Sequence, residues 1–410
     1  MKLLTASGLS DLEEASNSAA LRAHSSHDQF KFLLQFARQN VDFPLLSGFF
    51  KVKGGMNRKR WLAPWKDSAE KPAIYHTISR VVDRRFVLGD EEREHFRMFM
   101  RMQENFSGCR VLSYCIMSNH FHILLEVPPM PEVGISDEEL LKRLSATNSE
   151  AFVAVVAKEL VEARVENRED WVAEIHARFT YRMHDLSEFM KTLLQRFTRW
   201  FNRTHQRSGT LWEERYKSVI VESGIAARTM AAYIDLNPVR AGMIVDPAEY
   251  RWSSYGEAVG GGTKGNGKKS REGLVRACMS HQGMGFEAEK WKEVSRIYRR
   301  TLGLALGRKS GKAEVEKGIV RPQMNTAEVL GAEENGTVLP DLKLAAMLRC
   351  RVRYFTDGAV IGSKAFVNEA FAAARERFTE KRKDGARTMK GSGKAAKGLL
   401  WSLRDLRVGI

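Results

Sequence analysis

Through the middle of the chain the apolar positions switch between a period of two and a period near 3.6. Residues 73–82 (Ala-Ile-Tyr-His-Thr-Ile-Ser-Arg-Val-Val) are rich in β-branched and aromatic side chains and predict a strand. Asp90 can then cap a helix with Glu91 and Glu92 in its first turn, where the helix dipole favours acids. Phe96, Phe99 and Met100 give that helix its apolar face. Residues 110–117 and 120–127 are two more strand-like runs, and Ser118-Asn119 between them predicts a hairpin. Pro128, Pro129 and Pro131 open a charged, helix-patterned stretch over 128–183 that reads as an insertion. Leu186, Phe189, Met190, Leu193, Leu194, Phe197, Trp200 and Phe201 recur at helical spacing. Lys191, Arg196, Arg199, Arg203 and Arg207 occupy the complementary side, as a solvated face or as a surface for a polyanion. Gly209 ends this helix, residues 210–221 predict a strand, and 226–236 predict a short helix closed by Pro238. The order strand, helix, strand, strand, helix, strand, helix is that of a ferredoxin-like α+β sandwich with a central antiparallel sheet.

The flanks are patterned differently. Residues 1–55 mix Ser, Ala and Asn, and predict a poorly ordered extension; Met56-Asn-Arg-Lys-Arg-Trp looks like a start, so Met56 is a candidate first residue. The main domain is expected over 56–256, with the insertion at about 128–183. The glycine-rich residues 257–272 predict a flexible linker. A small helical region is expected at 273–306, a second linker at 307–340, a helical module at 341–374, and a basic tail at 375–410.

Charge narrows the class. The chain has 410 residues and a formal net charge of +16, which suits a polyanionic partner, most often nucleic acid. No run approaches the roughly 18 apolar residues a membrane span needs, so no membrane partner is expected. Cys109, Cys115, Cys278 and Cys350 form no Cys-x-x-Cys pair, which argues against a zinc ribbon and fits free thiols in the cytoplasm.

Candidate chemistry centres on His120 and His122, the only ligand-like spacing among the ten histidines. On a strand they share one face and Phe121 takes the other. They are either surface residues of a half-buried strand or two imidazoles set for one metal ion. A metal needs further ligands, and the predicted helix 226–236 offers them. Tyr233 and Asn237 lie four residues apart, one turn along a helical face. Asn237 can give an amide oxygen to the metal while Tyr233 aims a hydroxyl at what the metal holds. The plain alternative is an Asn-Pro that merely closes the helix and a Tyr233 in the core.

The segments MSNHFHILLE, LSEFMKTLLQRFTRWFNRTHQRSGTLWEERYKSVIVE and AAYIDLNPVRAGMI together resemble the REP-associated tyrosine transposases, a branch of the single-tyrosine HUH transposases, over roughly residues 73–255. The resemblance implies an HUH-endonuclease-like sheet, His120 and His122 as the metal pair, Tyr233 as the catalytic tyrosine, and Asn237 at the place of the third, helix-borne ligand. Mixed N and O ligands suit Mg²⁺ or Mn²⁺ better than a closed zinc site. The expected reaction is cleavage and rejoining of single-stranded DNA through a 5′-phosphotyrosine, at hairpins formed by palindromic repeats. The branch favours a monomer over a dimer, cytoplasmic and bound to the nucleoid through DNA. Arg196, Arg199, Arg203, Arg215, Lys217 and Arg240 are candidates for phosphate contacts. Trp212 and Tyr216 are candidates for base stacking, with the core as the alternative for Trp212. Three other readings stay open: a water-using metal-dependent phosphodiesterase, a DNA-binding regulator that has lost catalysis, and an RNA-binding protein suggested by charge alone.

Overall fold

A computed structural model describes residues 61–261, 265–279, 288–306, 348, 353–390 and 398–404. Strand β1 (Ala73–Arg80) forms from the predicted β-branched and aromatic run. Helix α1 (Asp90–Ser107) starts one residue earlier than expected: Gly89 is the N-cap, and the Glu92 carboxylate reaches back to accept its N–H at 2.8 Å. It ends at Gly108, whose φ of 73° is the left-handed conformation glycine adopts at little cost. Strands β2 (Arg110–Ile116) and β3 (His120–Val127) are the predicted hairpin.

The insertion is helical. It comprises α2 (Asp137–Ser145), α3 (Glu150–Val165) and α4 (Glu169–Thr180), the first two capped by Ser136 and Ser149. Leu140, Leu144, Val156, Leu160, Val172 and Ile175 give it a small core of its own. Next come α5 (Leu186–Thr204), capped by Asp185, then β4 (Lys217–Val221), α6 (Ile225–Asp235) and the single turn α7 (Asn237–Arg240).

The first four strands lie in the order β2-β3-β1-β4 and every neighbouring pair is antiparallel, the ferredoxin-like arrangement expected from element order. Phe96 of α1 and Phe197 of α5 pack on Phe121 and Trp212, so these two helices cover one face of the sheet. Helix α6 packs on β2 and β3 from the opposite face.

Past this core the structure departs from the sequence expectations. Residues 257–272 are not a flexible linker: α8 (Ser254–Gly260) and α9 (Gly265–Cys278) take up most of them. Tertiary contacts override the glycines' weak helix propensity. Ser270 bonds Glu257, the Arg271 guanidinium donates to the Ala258 carbonyl at 2.8 Å, and Arg276 pairs with the buried Glu126. Gly273 lies against β2, where a Cβ would meet the Val111 carbonyl oxygen at 2.4 Å. Helix α10 (Ala288–Leu306) occupies the expected small helical region.

The C-terminal segment is helical in part, with α11 (Arg353–Thr356) and α12 (Lys364–Ala373), yet it also extends the sheet. Strand β5 (Val360–Gly362) pairs in parallel with β4. Strands β6 (Arg387–Thr388) and β7 (Trp401–Leu403) complete the order β4-β5-β7-β6, within residues expected to be a basic tail. The expectations for residues 1–55, for the 307–340 linker and for Met56 fall outside the described residues.

Candidate active site

Register decides which side chains meet. In the β1–β3 ladder Ile78 lies opposite His122, Arg80 opposite His120 and His76 opposite Leu124. Directly opposed residues share a face, so His76, Ile78, Arg80, His120 and His122 all lie on the side that α6 covers. The His120 and His122 rings are 5.0 Å apart, and Phe121 points the other way into the aromatic core. The Tyr233 ring lies 5.9 Å from His122 and 6.1 Å from His76. His120, His122 and Tyr233, singled out far apart in the chain, therefore form one cluster.

His120 and His122 each have one nitrogen engaged, and His76 has both. His120 Nδ1 donates to Asn119 Oδ1 at 2.6 Å, and Asn119 is held in that orientation because its Nδ2 donates to the Arg84 carbonyl at 3.0 Å. His122 Nδ1 contacts His76 Nε2 at 3.0 Å, and His76 Nδ1 contacts the Phe355 carbonyl oxygen at 2.9 Å. The nitrogens left over at the pair are the two Nε2 atoms. Burial, followed by the charge of Arg80, pushes His120 down to about 4. Burial also pulls His76 to about 4, against the opposing bond to Phe355. His122 lies well below the usual imidazole range, first through burial and then through His120, His76, Arg80 and Arg240. All three are neutral at pH 7, the form in which an imidazole binds a metal.

Tyr233 is 2% exposed. Its ring stacks on Phe355 at 4.5 Å with 14° between planes, and the Arg240 guanidinium carbon lies 4.8 Å from its centre. Burial pushes its phenol up to about 12, with Arg240 and Arg80 opposing and Asp357 reinforcing the rise. Among the described residues its hydroxyl has no hydrogen-bond partner.

Asn237 is the first residue of α7, and its Nδ2 donates to the carbonyls of Tyr233 and Ile234 at 3.1 and 3.2 Å. The amide nitrogen thus ties down the end of α6, which is the helix-closing role, and among the described residues the hydrogen bonds of the Asn237 side chain run to α6 rather than to the histidines. Among the described residues no group of three or more His, Cys, Asp or Glu side chains is placed to hold a metal. Two neutral imidazoles, each with Nε2 available, are a donor set that would suit a metal completing its coordination with oxygen from substrate or water.

The predicted polyanion contacts divide. Arg240 sits at the site, donating to the Tyr233 carbonyl at 3.2 Å and to the Leu348 carbonyl at 3.2 Å. Lys217, opposite Ile78 on β4, shares the histidine face and is 3.8 Å from Asp357. Arg215 is exposed in the loop before β4. Arg196, Arg199 and Arg203 lie on α5, which covers the opposite face, and Arg196 donates to the Thr147 carbonyl at 3.2 Å. Trp212 and Tyr216 belong to the core and are 8% and 6% exposed. The Trp212 indole donates to Thr198 Oγ1 at 3.0 Å, so base stacking is replaced by packing against Phe96, Phe121 and Phe197.

Sequence reasoning missed three contributors. His76 and Arg80 alternate along β1 toward the histidines, a signal readable only once β1 is registered against β3. Phe355 enters from the C-terminal segment, and nothing in its local sequence points to Tyr233.

Residues 70–153 match the family described as "Transposase IS200 like". That region runs from β1 into α3 and includes His76, His120 and His122, while Tyr233 lies beyond it. No curated protein matches the chain. Among solved structures, the chain is similar to a REP-associated tyrosine transposase bound to a REP hairpin, at 12% identity, covering 56% of this chain and 94% of that chain, with a TM-score of 0.31.

Proposed function

We propose that this chain, which carries an IS200-like transposase region over residues 70–153, is a single-stranded DNA nicking and joining enzyme with Tyr233 as its nucleophile. The observation that carries the reading is the convergence of Tyr233 with two imidazoles whose Nε2 atoms remain available on one sheet face. Tyr233 Oη attacks a DNA phosphorus, the bond to O3′ breaks, and the product is a 5′-phosphotyrosine with a free 3′-hydroxyl. The phenolic proton leaves to water, and the departing O3′ takes a proton from water. Attack by another strand's 3′-hydroxyl then reverses the step and joins the ends, with no nucleotide cofactor.

At a phenol pKa of about 12, roughly one part in 100,000 is phenolate at pH 7. Free Tyr233 is therefore a poor nucleophile, and the phosphate must be activated instead. His120 and His122 would hold Mg²⁺ or Mn²⁺, which when bound withdraws charge from a scissile phosphate. Arg80 and Arg240 place positive charge beside the tyrosine and favour the anionic forms that develop in the step. A backbone that must bend over this recess suits single strands, and a hairpin would present one next to a duplex stem.

Incubation with Mn²⁺ and a labelled single-stranded hairpin oligonucleotide is expected to yield a protein–DNA adduct that survives denaturation. Tyr233→Phe should abolish it, and His120→Ala should weaken it by about 100-fold or more. An adduct that persists in Tyr233→Phe would remove Tyr233 from its role. A second reading, a DNA-binding regulator without catalysis, draws support from the cover that Phe355 places over Tyr233. It predicts hairpin binding with no adduct in any metal.

A further inference from the structure

The hydrogen bonds behind His122 have a direction. A backbone carbonyl oxygen only accepts, so in the 2.9 Å contact with Phe355 the proton sits on His76 Nδ1. His76 is fully buried, among the described residues no carboxylate pairs with it, and a neutral imidazole carries one N–H. Its Nε2 is therefore a bare acceptor. The 3.0 Å contact with His122 Nδ1 then requires the proton to be on His122. A neutral His122 protonated at Nδ1 leaves its Nε2 lone pair open toward the site. The two rings lie 5.1 Å apart and 18° from parallel, so packing holds this geometry as well as the hydrogen bond does.

We propose that His76 is a positioning residue: it relays the fixed polarity of the Phe355 carbonyl to His122 and holds His122 in the tautomer whose Nε2 can bind a metal. Asn119 performs the same task for His120 in one step, through a side-chain oxygen whose orientation the Arg84 carbonyl locks. The two halves of the pair are thus set by different parts of the chain. His120 is set by its own hairpin turn. His122 is set by a segment more than 200 residues downstream, through β1. Ligating histidines generally have their second nitrogen fixed in this way, and loss of that partner weakens metal affinity about 10- to 100-fold.

This proposal rests on the metal-site reading for its consequence, while the tautomer itself is measurable without metal or DNA. In the full-length protein with ¹⁵N-labelled histidine, long-range ¹H–¹⁵N correlation spectra should show His122 as the Nδ1–H tautomer. His76→Phe removes the acceptor: His122 should shift toward Nε2–H, and Mn²⁺ affinity by titration calorimetry should fall about 10- to 100-fold. His76→Gln keeps an acceptor oxygen and should restore the tautomer and most of the affinity, which a merely space-filling role would not predict. An Nε2–H tautomer in the parent protein overturns the relay. So does a His76→Phe protein, folded by circular dichroism, whose His122 spectrum is unchanged. Failure of the Tyr233 adduct assay bears on the cleavage reading alone, since the tautomer is read on the free protein.

Discussion

At the residue scale, burial separates side chains that look alike in the sequence. Trp212 and Arg199 were both candidates for meeting nucleic acid, but Trp212 fills the space between Phe96, Phe121 and Phe197 while Arg199 is exposed. Trp212→Ala should cost about 3–5 kcal/mol in denaturant unfolding. Arg199→Ala should stay within about 0.5 kcal/mol of the parent. A Trp212→Ala protein of unchanged stability would contradict the core placement. The neutral histidines make a second prediction. Their folded pKa values lie below the ordinary 6.5, at about 4 for His76 and His120. Between those limits the unfolded chain binds more protons, so their contribution is complete above pH 6.5 and is lost as pH falls toward 4. Each such group contributes a slope of up to about 1.4 kcal/mol per pH unit. Asp235 acts with the opposite sign: burial raises it to about 7, so its contribution is present at low pH and is lost as pH rises through 7. Three histidines outweigh one aspartate, and the urea midpoint should be lower at pH 5 than at pH 6.5. A higher midpoint at pH 5 would mean the imidazoles are not held neutral.

At the element scale, α6 is the piece that has to be placed accurately, because it carries Tyr233. Besides the packing of the sheet and α9 against it, side-chain hydrogen bonds tie it down. The Asn237 amide caps its final carbonyls, and the Tyr298 hydroxyl of α10 donates to the buried Asp235 at 2.6 Å. Tyr298→Phe removes the donor from a buried carboxyl group and should cost about 1–3 kcal/mol in thermal or chemical unfolding. No loss of stability would show that α10 is not needed to anchor α6. The same scale shows why the glycine-rich stretch after Tyr255 misled the sequence reading. At Gly261 a Cβ would meet the Glu257 carbonyl oxygen at 2.4 Å, and small residues chosen for close packing look the same as small residues chosen for flexibility.

At the scale of the whole molecule, a ferredoxin-like core is extended past β4 by three short strands and carries a helical insertion with a small core of its own. The cations lie on both faces of the sheet: Arg80, Lys217 and Arg240 with the histidines, and Arg196, Arg199 and Arg203 on α5. With a net charge of +16, affinity for a DNA hairpin should fall steeply with salt, log Kd changing linearly with log salt concentration. Substituting Arg80 or Arg240 should flatten that slope, while Arg199→Ala should leave it unchanged if the strand lies only on the histidine face. A flattened slope in Arg199→Ala would extend the contact surface around to α5. Among the described residues no helix is long and apolar enough to cross a membrane.

Local periodicity was enough to read the strands around 73–80, 110–116 and 120–127, the helix from Leu186, and the shared face of His120 and His122. These are properties of neighbours in the chain, and the spacing of two on a strand or 3.6 on a helix expresses them directly. The contact of Tyr233 with that face followed from the ferredoxin-like order and the resemblance together. What the tertiary structure alone decided is everything that depends on register and on distant segments. Pairing β1 with β3 brings in His76 and Arg80, and docking α11 and β5 beside β4 brings the Phe355 carbonyl to His76 and its ring to Tyr233. A backbone carbonyl carries no sequence signature, so its part in setting the state of His122 becomes visible only when the chain has folded around it.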